Sequence, residues 1–192
     1  SITISTGEVV GLAGIDGSGQ SIFLKTACGL LPPESGEVRR FGAPLQGVTS
    51  LTDRATVFLP ADRLAEGLFP GMTIREHHLL ATPGGALITS STGLADTRQA
   101  IVTHSIKGRS ETLVEDLSGG NQQRLLLSLI PEGVRLILME NPTRGLDVQS
   151  SAWTWSHLHR RLRADGAIVF ASPDLEELMS QASRILVFYN GR

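Results

Sequence analysis

The sequence predicts an α/β fold in which a parallel β-sheet is flanked by helices. Two observations carry this prediction. Short β-branched apolar runs alternate with helical patterns along the chain, and the first run, residues 7–13, passes through a Gly-rich turn directly into a helical pattern. With 41% hydrophobic and 19% charged residues, the composition is that of a globular protein. The 192 residues suffice for one domain with a small subdomain.

The first half of the chain begins with a buried strand at residues 7–13, because apolar and β-branched side chains follow one another there up to the glycines. Further strands are predicted at residues 37–41 and 55–60, and helices at residues 18–28 and 74–80. Residues 81–97 are rich in Gly, Ser and Thr, which is typical of a mobile loop.

The second half repeats the alternation of helix and strand. A helix at residues 121–130 is expected to be capped by Ser118 and the two glycines that follow it. The amphipathic pattern at residues 148–164 predicts a helix with arginines near its end, stopped by Gly166. The remaining predicted elements are strands at residues 134–139, 167–172 and 184–189 and a helix at residues 174–181.

Charge and composition exclude several classes of protein. The net charge is −2, so no global positive field favours a nucleic-acid backbone, and we expect no nucleic-acid partner. Cys28 is the single cysteine and cannot form an internal disulfide, and no apolar run reaches the roughly 18 residues of a membrane span. The first residues lack the features of a signal peptide. We expect a cytosolic chain that is a fragment of a longer protein, since it lacks an initiator Met.

A Gly-rich segment at the end of the first strand carries the first functional motif. It consists of Gly14, Ile15, Asp16, Gly17, Ser18, Gly19, Gln20 and Ser21. Glycines let successive N–H groups curve around an anion, and the N-terminus of the following helix adds a favourable dipole. A phosphate-binding loop has Lys immediately before the final Ser, and Gln20 stands there instead. On this segment alone, a phosphate loop and an ordinary Gly-rich turn both remain open.

Two later segments complete the set. They are Leu117-Ser118-Gly119-Gly120-Asn121-Gln122-Gln123-Arg124, and the predicted strand 134–139 followed by Glu140-Asn141-Pro142-Thr143-Arg144-Gly145-Leu146-Asp147. With the Gly-rich loop they resemble the Walker A loop, LSGGQ-like signature, Walker B strand and D-loop of the ATP-binding cassettes of ABC transporters, in the family's order. LSGGNQQ, NPTRGLD and residues 58–68 (FLPADRLAEGL) are similar to the second cassette of tandem bacterial monosaccharide and nucleoside importers. The resemblance covers residues 7–192.

The resemblance implies a P-loop NTPase-type sheet with a small N-terminal β portion and a shortened helical subdomain at residues 75–125. Residues 1–192 would form a single cassette domain of a longer tandem-cassette protein. ATP is the implied ligand of the loop at residues 14–21, with Mg²⁺ held near Ser21 and Glu140. The signature that faces a partner cassette would comprise Ser118, Gly119, Gly120 and Gln122, and the D-loop would contribute Asp147.

The sequence departs from the family pattern at the positions where the family has the residues that bind Mg²⁺-ATP and hydrolyse it. Gln20 replaces the Walker A lysine, and Glu140 replaces the Walker B aspartate with a carboxylate one methylene longer. Asn141 stands where the glutamate that polarises the attacking water would be, and an amide cannot accept that proton. Ala61 occupies the position of the Q-loop glutamine, and Pro173 that of the switch histidine. We expect weakened binding of nucleotide and Mg²⁺ and impaired hydrolysis at this site.

The signature residues are retained while the hydrolytic positions are not, so we expect this cassette to complete the site of a partner. In the family, two cassettes meet head to tail, and each ATP lies between the Walker motifs of one and the signature of the other. The implied partners are a second cassette, fused or in a dimer, and transmembrane permease subunits. The implied location is cytoplasmic and peripheral, on the inner face of the cell membrane, and the implied cargo is a sugar or nucleoside.

Two alternatives stay open at this point. In the first alternative, the cassette binds no nucleotide and serves only as the structural half of a heterodimer. Nucleotide titration distinguishes it from a cassette that binds ATP and hydrolyses it poorly. An ordinary ATPase would result if another lysine or a water replaced the lost groups. Restoring the family residues with Gln20→Lys and Asn141→Glu separates that second alternative.

Several residues that often bind or catalyse carry no functional pattern here; they are His77, His78, His157, His159, Trp153, Trp155 and Cys28. Each histidine pair has a spacing that diverges on a helix, so we expect packing rather than metal binding. The tryptophans are expected in the core or in an interface, and the cysteine is expected to be a small buried hydrophobe.

Overall fold

A computed structural model describes residues 1–45, 54–82 and 93–191 of the chain. These residues form two compact units. The first consists of Ser1–Ala61, Pro131–Pro142 and His159–Arg192, and the second of Asp62–Ile130 and Thr143–Leu158. Each unit is therefore assembled from segments that are far apart in the sequence.

The strands lie in the first unit. They are β1 (Val9–Ala13), β2 (Arg39–Arg40), β3 (Ala43–Pro44), β4 (Thr56–Leu59), β5 (Val134–Glu140), β6 (Leu162–Ala171) and β7 (Arg184–Val187). Five of them form a parallel sheet in the order β4-β5-β6-β1-β7, and β2 pairs with β3 as an antiparallel hairpin. Because the five strands run in one direction, the loops that follow β1, β5 and β6 all leave the same edge of the sheet.

The helices are distributed over both units. They are α1 (Gln20–Cys28), α2 (Ile74–Ala81), α3 (Leu94–Thr103), α4 (Gly119–Ser128), α5 (Val148–Arg161) and α6 (Leu175–Gln181). A π-helical turn, Arg63–Gly67, and a 3₁₀ turn, Val114–Asp116, supplement them. Among the helices of the described ranges, none combines the length and the hydropathy that crossing a bilayer requires.

A buried apolar cluster joins the sheet of the first unit to α1. Leu138 of β5 lies opposite Val169 of β6, which lies opposite Val10 of β1. These side chains form one cluster with Leu24 and Cys28 of α1. Cys28 is buried, which confirms its expected role as a small hydrophobe. The cluster fixes α1 against the sheet, and with it the loop between β1 and α1.

The second unit is helical and contains α2, α3, α4 and the part of α5 up to Leu158. Helix α2 starts at a reciprocal capping box. The Thr73 hydroxyl accepts the N–H of Glu76 at 3.3 Å, and the Glu76 carboxylate accepts the N–H of Thr73 at 2.6 Å. Two amides at the start of the helix are satisfied in this way, so the start of α2 is fixed.

The predicted fold class is confirmed, and most predicted elements are present with shifted ends. The confirmed strands are those predicted at residues 7–13, 55–60, 134–139 and 184–189, and the confirmed helices those at residues 18–28, 74–80 and 174–181. The strand predicted at residues 37–41 is reduced to Arg39–Arg40.

The helix predicted at residues 148–164 is present, but its predicted end, with Gly166 as the stop, was wrong. Helix α5 ends at Arg161 and β6 begins at Leu162, so Gly166 lies inside the strand instead of stopping the helix. A Cβ atom on Gly166 would lie 2.6 Å from Cγ of Leu162. The glycine therefore allows the chain to fold closely on itself where the pairing of β5 and β6 shifts register.

Two other predictions need correction. The helix predicted at residues 121–130 begins at Gly119, and Ser118 occupies the N-cap position without making a side-chain capping hydrogen bond. The loop predicted at residues 81–97 contains the start of α3, because helix-forming residues begin at Leu94 behind the Gly- and Ser-rich stretch. The remainder of that prediction, residues 83–92, lies outside the described residues.

Helix α2 carries a histidine that is neutral in the folded chain. Nε2 of His78 lies 3.1 Å from the hydroxyl of Ser128, and that hydroxyl donates to the carbonyl O of Leu125 at 2.6 Å. His78 therefore donates to the serine oxygen. Burial lowers the pKa of His78 to about 4, and the charges of His104 and His77 act in the same direction.

We expect the second unit to lose stability as the pH falls from 7.5 to 5. The unfolded chain takes up a proton at His78 near its ordinary pKa of 6.5, whereas the folded chain does so only near 4. Stability is therefore complete above pH 6.5 and declines below it, by about 1–2 kcal/mol at pH 5. Urea unfolding followed by circular dichroism measures the loss. It should shrink in His78→Gln and persist in His159→Gln, which changes an exposed histidine; equal losses in both variants would contradict the assignment.

Candidate functional site

The Gly-rich loop of residues 14–21 joins β1 to α1 at the edge where the parallel strands end. Gly14 has a φ of 153°. A Cβ atom there would lie 2.4 Å from Nε2 of Gln20 and 2.7 Å from the carbonyl O of Phe188. On the same side of the loop, the N–H of Gly191 donates to the carbonyl O of Ser18 at 3.1 Å. Only glycine fits at position 14, between the Gln20 side chain and the segment that follows β7.

Gln20, the residue that departs from the phosphate-loop pattern, folds back over the loop itself. Its Nε2 donates a long hydrogen bond of 3.4 Å to the carbonyl O of Ile15. An amide at this place can donate a hydrogen bond to a phosphate oxygen, but it supplies no positive charge. The loop therefore contains a neutral donor where the pattern has a cation.

Ser21 and Glu140 meet at the start of α1 and the end of β5. The Ser21 hydroxyl donates to Oε1 of Glu140 at 2.5 Å, and the N–H of Ala61 donates to Oε2 at 3.3 Å. Glu140 is only 8% exposed. One buried carboxylate thus connects the Gly-rich loop to the segment that follows β4.

The Ser21–Glu140 pair suits Mg²⁺, which prefers hydroxyl, carboxylate and water oxygens. Among residues 1–45, 54–82 and 93–191, no three or more His, Cys, Asp or Glu side chains are grouped so that they could hold a metal ion. The chain would therefore supply two oxygens, and water and phosphate would complete the coordination. On this donor chemistry the two residues fit the implied metal.

A cleft of about 170 Å³ opens over the loop. Its lining includes Gly14, Asp16, Gly17, Gly19, Gln20, Ser21, Glu140, Asn141, Ser172 and Pro173. Of the described residues that line it, two carry carboxylates and none is basic. The cleft is smaller than the roughly 300–1,000 Å³ of pockets that enclose a whole drug-sized ligand. Its size suits a phosphate chain, with the rest of a nucleotide outside.

The positions expected to hold the hydrolytic residues lie at this cleft. Asn141 and Pro173 line it, and Ala61 contacts Glu140 through its backbone N–H. Asn141 has a φ of 47°, a left-handed conformation that Asn tolerates better than most residues, and its N–H donates to the carbonyl O of Ala171 at 2.8 Å. Neither the Asn141 amide nor the Pro173 ring can accept a proton from water.

The signature segment lies in the second unit, at the N-terminus of α4. The Ser118 hydroxyl accepts a hydrogen bond of 2.8 Å from the Asn121 side chain, whose oxygen accepts the N–H of Lys107 at 2.8 Å. Ser118 and Gly119 are exposed. Since the serine does not cap the helix, the first amides of α4 keep the capacity to donate to an anion.

Gln122, which was expected to belong to the surface that faces a partner, points inward. Its side chain is 9% exposed and donates to the carbonyl oxygens of Val114 and Leu117, at 3.2 and 3.1 Å. The amide therefore fixes the segment before the signature within the unit. Of the four expected signature residues, Ser118, Gly119 and Gly120 form the accessible start of the helix.

Asp147, the expected D-loop residue, caps α5. Its carboxylate accepts the N–H and the hydroxyl of Ser150, at 2.8 and 2.9 Å. The hydrogen bond from the Ser150 backbone, followed by that from its side chain, lowers the pKa of the Asp147 carboxyl. The carboxylate is exposed and remains charged at neutral pH.

Three residues of the second unit that the sequence analysis did not single out form a connected group, which we call the arginine clamp. Arg63 donates through Nε to Oε1 of Gln123 at 2.6 Å and through Nη2 to the carbonyl O of Arg144 at 2.8 Å. A Cβ atom on Gly119 would lie 3.6 Å from Nη1 of Arg63. Each of the three residues lies in one of the motif segments described above. The contact between positions 63 and 123 cannot be predicted from the sequence, because 60 residues separate them and no local pattern relates them.

The residues set aside as packing lie in the second unit, apart from Cys28 and His159. The ring of His157 stacks on Trp153 with centroids 5.1 Å apart, and the ring of His104 lies 4.7 Å from His157. The guanidinium of Arg124 lies 4.2 Å above Trp153. Trp155 and His77 are also buried. Packing of the tryptophans and of the buried histidines is confirmed.

The whole chain is similar in sequence to ATP-binding proteins of bacterial importers. The chain is 33% identical over 203 positions to the ribose import ATP-binding protein RbsA of Corynebacterium glutamicum, covering 100% of this chain and 38% of that protein. It is 33% identical to the guanosine import ATP-binding protein NupO of Bacillus subtilis, with 100% and 40% coverage. The arabinose import ATP-binding protein AraG of Pectobacterium atrosepticum gives 33% identity, with 100% and 39% coverage. The chain spans about two fifths of the length of these relatives.

Solved structures share the fold. An ATP-binding subunit of an ABC transporter superposes with a TM-score of 0.76 at 22% identity, covering 100% of this chain and 78% of that one. A second structure, an ABC transporter ATP-binding protein described as putative from Pyrococcus furiosus, gives a TM-score of 0.71 at 18% identity, with 97% and 87% coverage. The family model described as ABC transporter matches residues 1–144, more than half of the chain. The chain therefore belongs to the ABC transporter family.

Proposed function

We propose that this chain is the nucleotide-binding domain of an importer of sugars or nucleosides, with an impaired site of its own and an intact signature for a partner. The observation that carries the proposal is the composition of the cleft. It offers the Ser21–Glu140 oxygen pair and a Gly-rich loop, but none of its described lining residues is basic.

Nucleotide binding at this cleft should be weak and should depend on Mg²⁺. A lysine 4 Å from a phosphate charge would contribute about 4 kcal/mol at an effective dielectric constant near 20, before desolvation is subtracted. Gln20 provides a hydrogen bond without that attraction. Ser21 and Glu140 would hold Mg²⁺, which when bound neutralises phosphate charge. Without the ion, Asp16 and Glu140 repel a polyphosphate.

Hydrolysis at the same cleft should be slow. Asn141 and Pro173 line it and cannot accept a proton, and the methyl group of Ala61 makes no hydrogen bond. Loss of a general base alone typically lowers a rate by about 10² to 10⁴. Nucleotide bound at this cleft would therefore dissociate more often than it is hydrolysed.

The signature would serve that competent site. The start of α4 presents exposed Ser118 and Gly119, and its first amides are not capped by the serine side chain. An N-terminal helix dipole and a hydroxyl are suited to stabilise the γ-phosphate of ATP held by a second cassette. The partner cassette, fused or in a dimer, would supply the remaining catalytic groups.

The same proposal includes the larger assembly in which this chain would work. Residues 1–192 would be one cassette of a tandem-cassette protein, with a helical subdomain at residues 75–125, bound to transmembrane permease subunits at the cytoplasmic face of the membrane. Relatives named for import of ribose, arabinose and guanosine support a sugar or nucleoside as cargo.

One observation favours a second candidate, a structural pseudo-cassette that binds no nucleotide. The Gln20 side chain packs against Gly14 and donates to Ile15, so the loop is filled in part by its own residue. Binding would require this amide to move or to become a phosphate ligand.

Titration calorimetry with ATP separates these two candidates. We expect saturable binding with Mg²⁺, at least about tenfold weaker binding with EDTA, and a gain of about tenfold or more in Gln20→Lys, because a cation enters a cleft without a basic residue. Asn141→Asp serves as a control for added charge and should weaken binding. Absence of binding in the native chain and in Gln20→Lys would favour the structural pseudo-cassette.

Phosphate release tests whether hydrolysis at this site is impaired. The native chain should release phosphate slowly, and Gln20→Lys combined with Asn141→Glu should raise the rate by about 10² or more, since a cation and a general base return together. Each single variant should gain less. A brisk rate in the native chain would show that other groups replace the lost ones.

Ser118→Arg tests the role of the signature. In the full transporter we expect this change to abolish transport-coupled ATP hydrolysis at the partner's site, because a bulky cation would block the approach of a nucleotide to the helix. Ser156→Arg, at an exposed position of α5, is the matched control and should leave the rate unchanged. Unchanged activity in Ser118→Arg would refute the proposed role.

A further inference from the structure

Arg63 joins three segments of the second unit that are far apart in the sequence. It lies at the start of the π-helical turn, and its guanidinium reaches Gln123 in α4 and the backbone of Arg144 in the segment between β5 and α5. Gln123 is 4% exposed, so its side chain is fixed by the surrounding unit. One guanidinium therefore sets where the first turns of α4 lie relative to the segment that leads to Asp147.

The geometry requires an arginine. Nε and Nη2 donate in two directions at once, to a side-chain oxygen at 2.6 Å and to a carbonyl oxygen at 2.8 Å. The rigid planar fork of a guanidinium makes both bonds with one conformation, whereas the single ammonium of a lysine cannot occupy both nitrogen positions.

The Arg63 guanidinium is affected by one nearby negative charge, that of Asp62, and one nearby positive charge, that of Arg144. Asp62 is the neighbouring carboxylate, and one of its oxygens accepts the N–H groups of Leu64 and Ala65, at 3.1 and 2.9 Å. Burial lowers the pKa of Arg63, the charge of Asp62 raises it, and the charge of Arg144 lowers it. The hydrogen bonds of the Arg63 guanidinium go to two uncharged oxygens, those of the Gln123 amide and the Arg144 carbonyl.

We propose that Arg63 is a positioning residue for the signature, which holds the N-terminus of α4 in the geometry that receives the γ-phosphate of the partner's ATP. This inference rests on the proposed role of the signature. The guanidinium lies beside Gly119, and its bond to Gln123 fixes α4 one turn further along. It would act on the phosphate through the helix, and its second hydrogen bond ties the helix to the segment at Arg144.

The expected size of the effect follows from the distance dependence of catalysis. A displacement of about 1 Å in a group that positions substrate can cost on the order of 10²-fold in rate. Loss of one of the two clamp bonds is expected to cost less, on the order of tenfold in kcat at the partner's site. Amides that bind the γ-phosphate also hold the ground state, so the KM for ATP should rise by about threefold.

The test uses the full transporter with four variants of this cassette. Arg63→Lys keeps the charge and removes the fork, Gln123→Met removes the acceptor at similar length, and the third variant combines both changes. Arg98→Lys makes the same exchange at an exposed arginine of α3 and is the matched control. The measurements are kcat and KM for ATP, with the thermal midpoint of the assembly.

We expect both single variants to lower kcat and raise KM, and the double variant to be no worse than the poorer single variant, because both changes remove one clamp. A population of misfolded protein would lower kcat without changing KM, so the rise in KM distinguishes positioning from folding. Additive losses, losses with unchanged KM that follow the thermal midpoint, or Arg63→Lys activity equal to that of Arg98→Lys would overturn the inference.

Ser118→Arg in the same assembly separates the two proposals. If Ser118→Arg abolishes hydrolysis and Arg63→Lys does not reduce it, the signature role stands and the positioning role fails. If Ser118→Arg itself has no effect, the proposed function fails, and the clamp has no signature to position.

Discussion

The buried carboxylate of Glu140 is the constraint on which the first unit's site depends. It lies at the end of strand β5, accepts the Ser21 hydroxyl from the start of α1, and accepts the Ala61 N–H from the segment after β4. A carboxylate that is 8% exposed is stable only when such donors compensate for its desolvation. This one group ties the Gly-rich loop to the end of β5, lines the cleft, and would supply one of the two side-chain oxygens that suit Mg²⁺.

The second unit is organised by an arginine in a comparable way. Arg63 bonds to α4 and to the backbone before Asp147, while Gln122 and Asn121 of α4 bond to two segments that precede the helix in the sequence. The polar side chains near the signature are thus mostly used within the unit. Ser118 and Gly119, in contrast, are exposed at the start of the helix.

The sequence predicted the fold class and the loop from local signals, because both depend on periodicity and on glycine spacing within short windows. It failed where the cause was not local. The end of α5 at Arg161 depends on the pairing of Leu162 with a strand nearly thirty residues earlier, and the inward direction of Gln122 depends on carbonyl groups of the preceding turn. The partnership of Arg63 with Gln123 joins positions whose relation exists only in the folded chain.

The contact between Gly14 and the carbonyl of Phe188 has a consequence beyond the packing of a glycine. The segment after β7 forms an outer wall of the loop, since the Phe188 N–H donates to Ala13 and the Gly191 N–H donates to Ser18. The two walls of the loop therefore come from opposite ends of the chain. Because these contacts are made by backbone groups, a displacement of this segment would change the shape of the loop, whereas the identity of the side chain at position 188 would matter less.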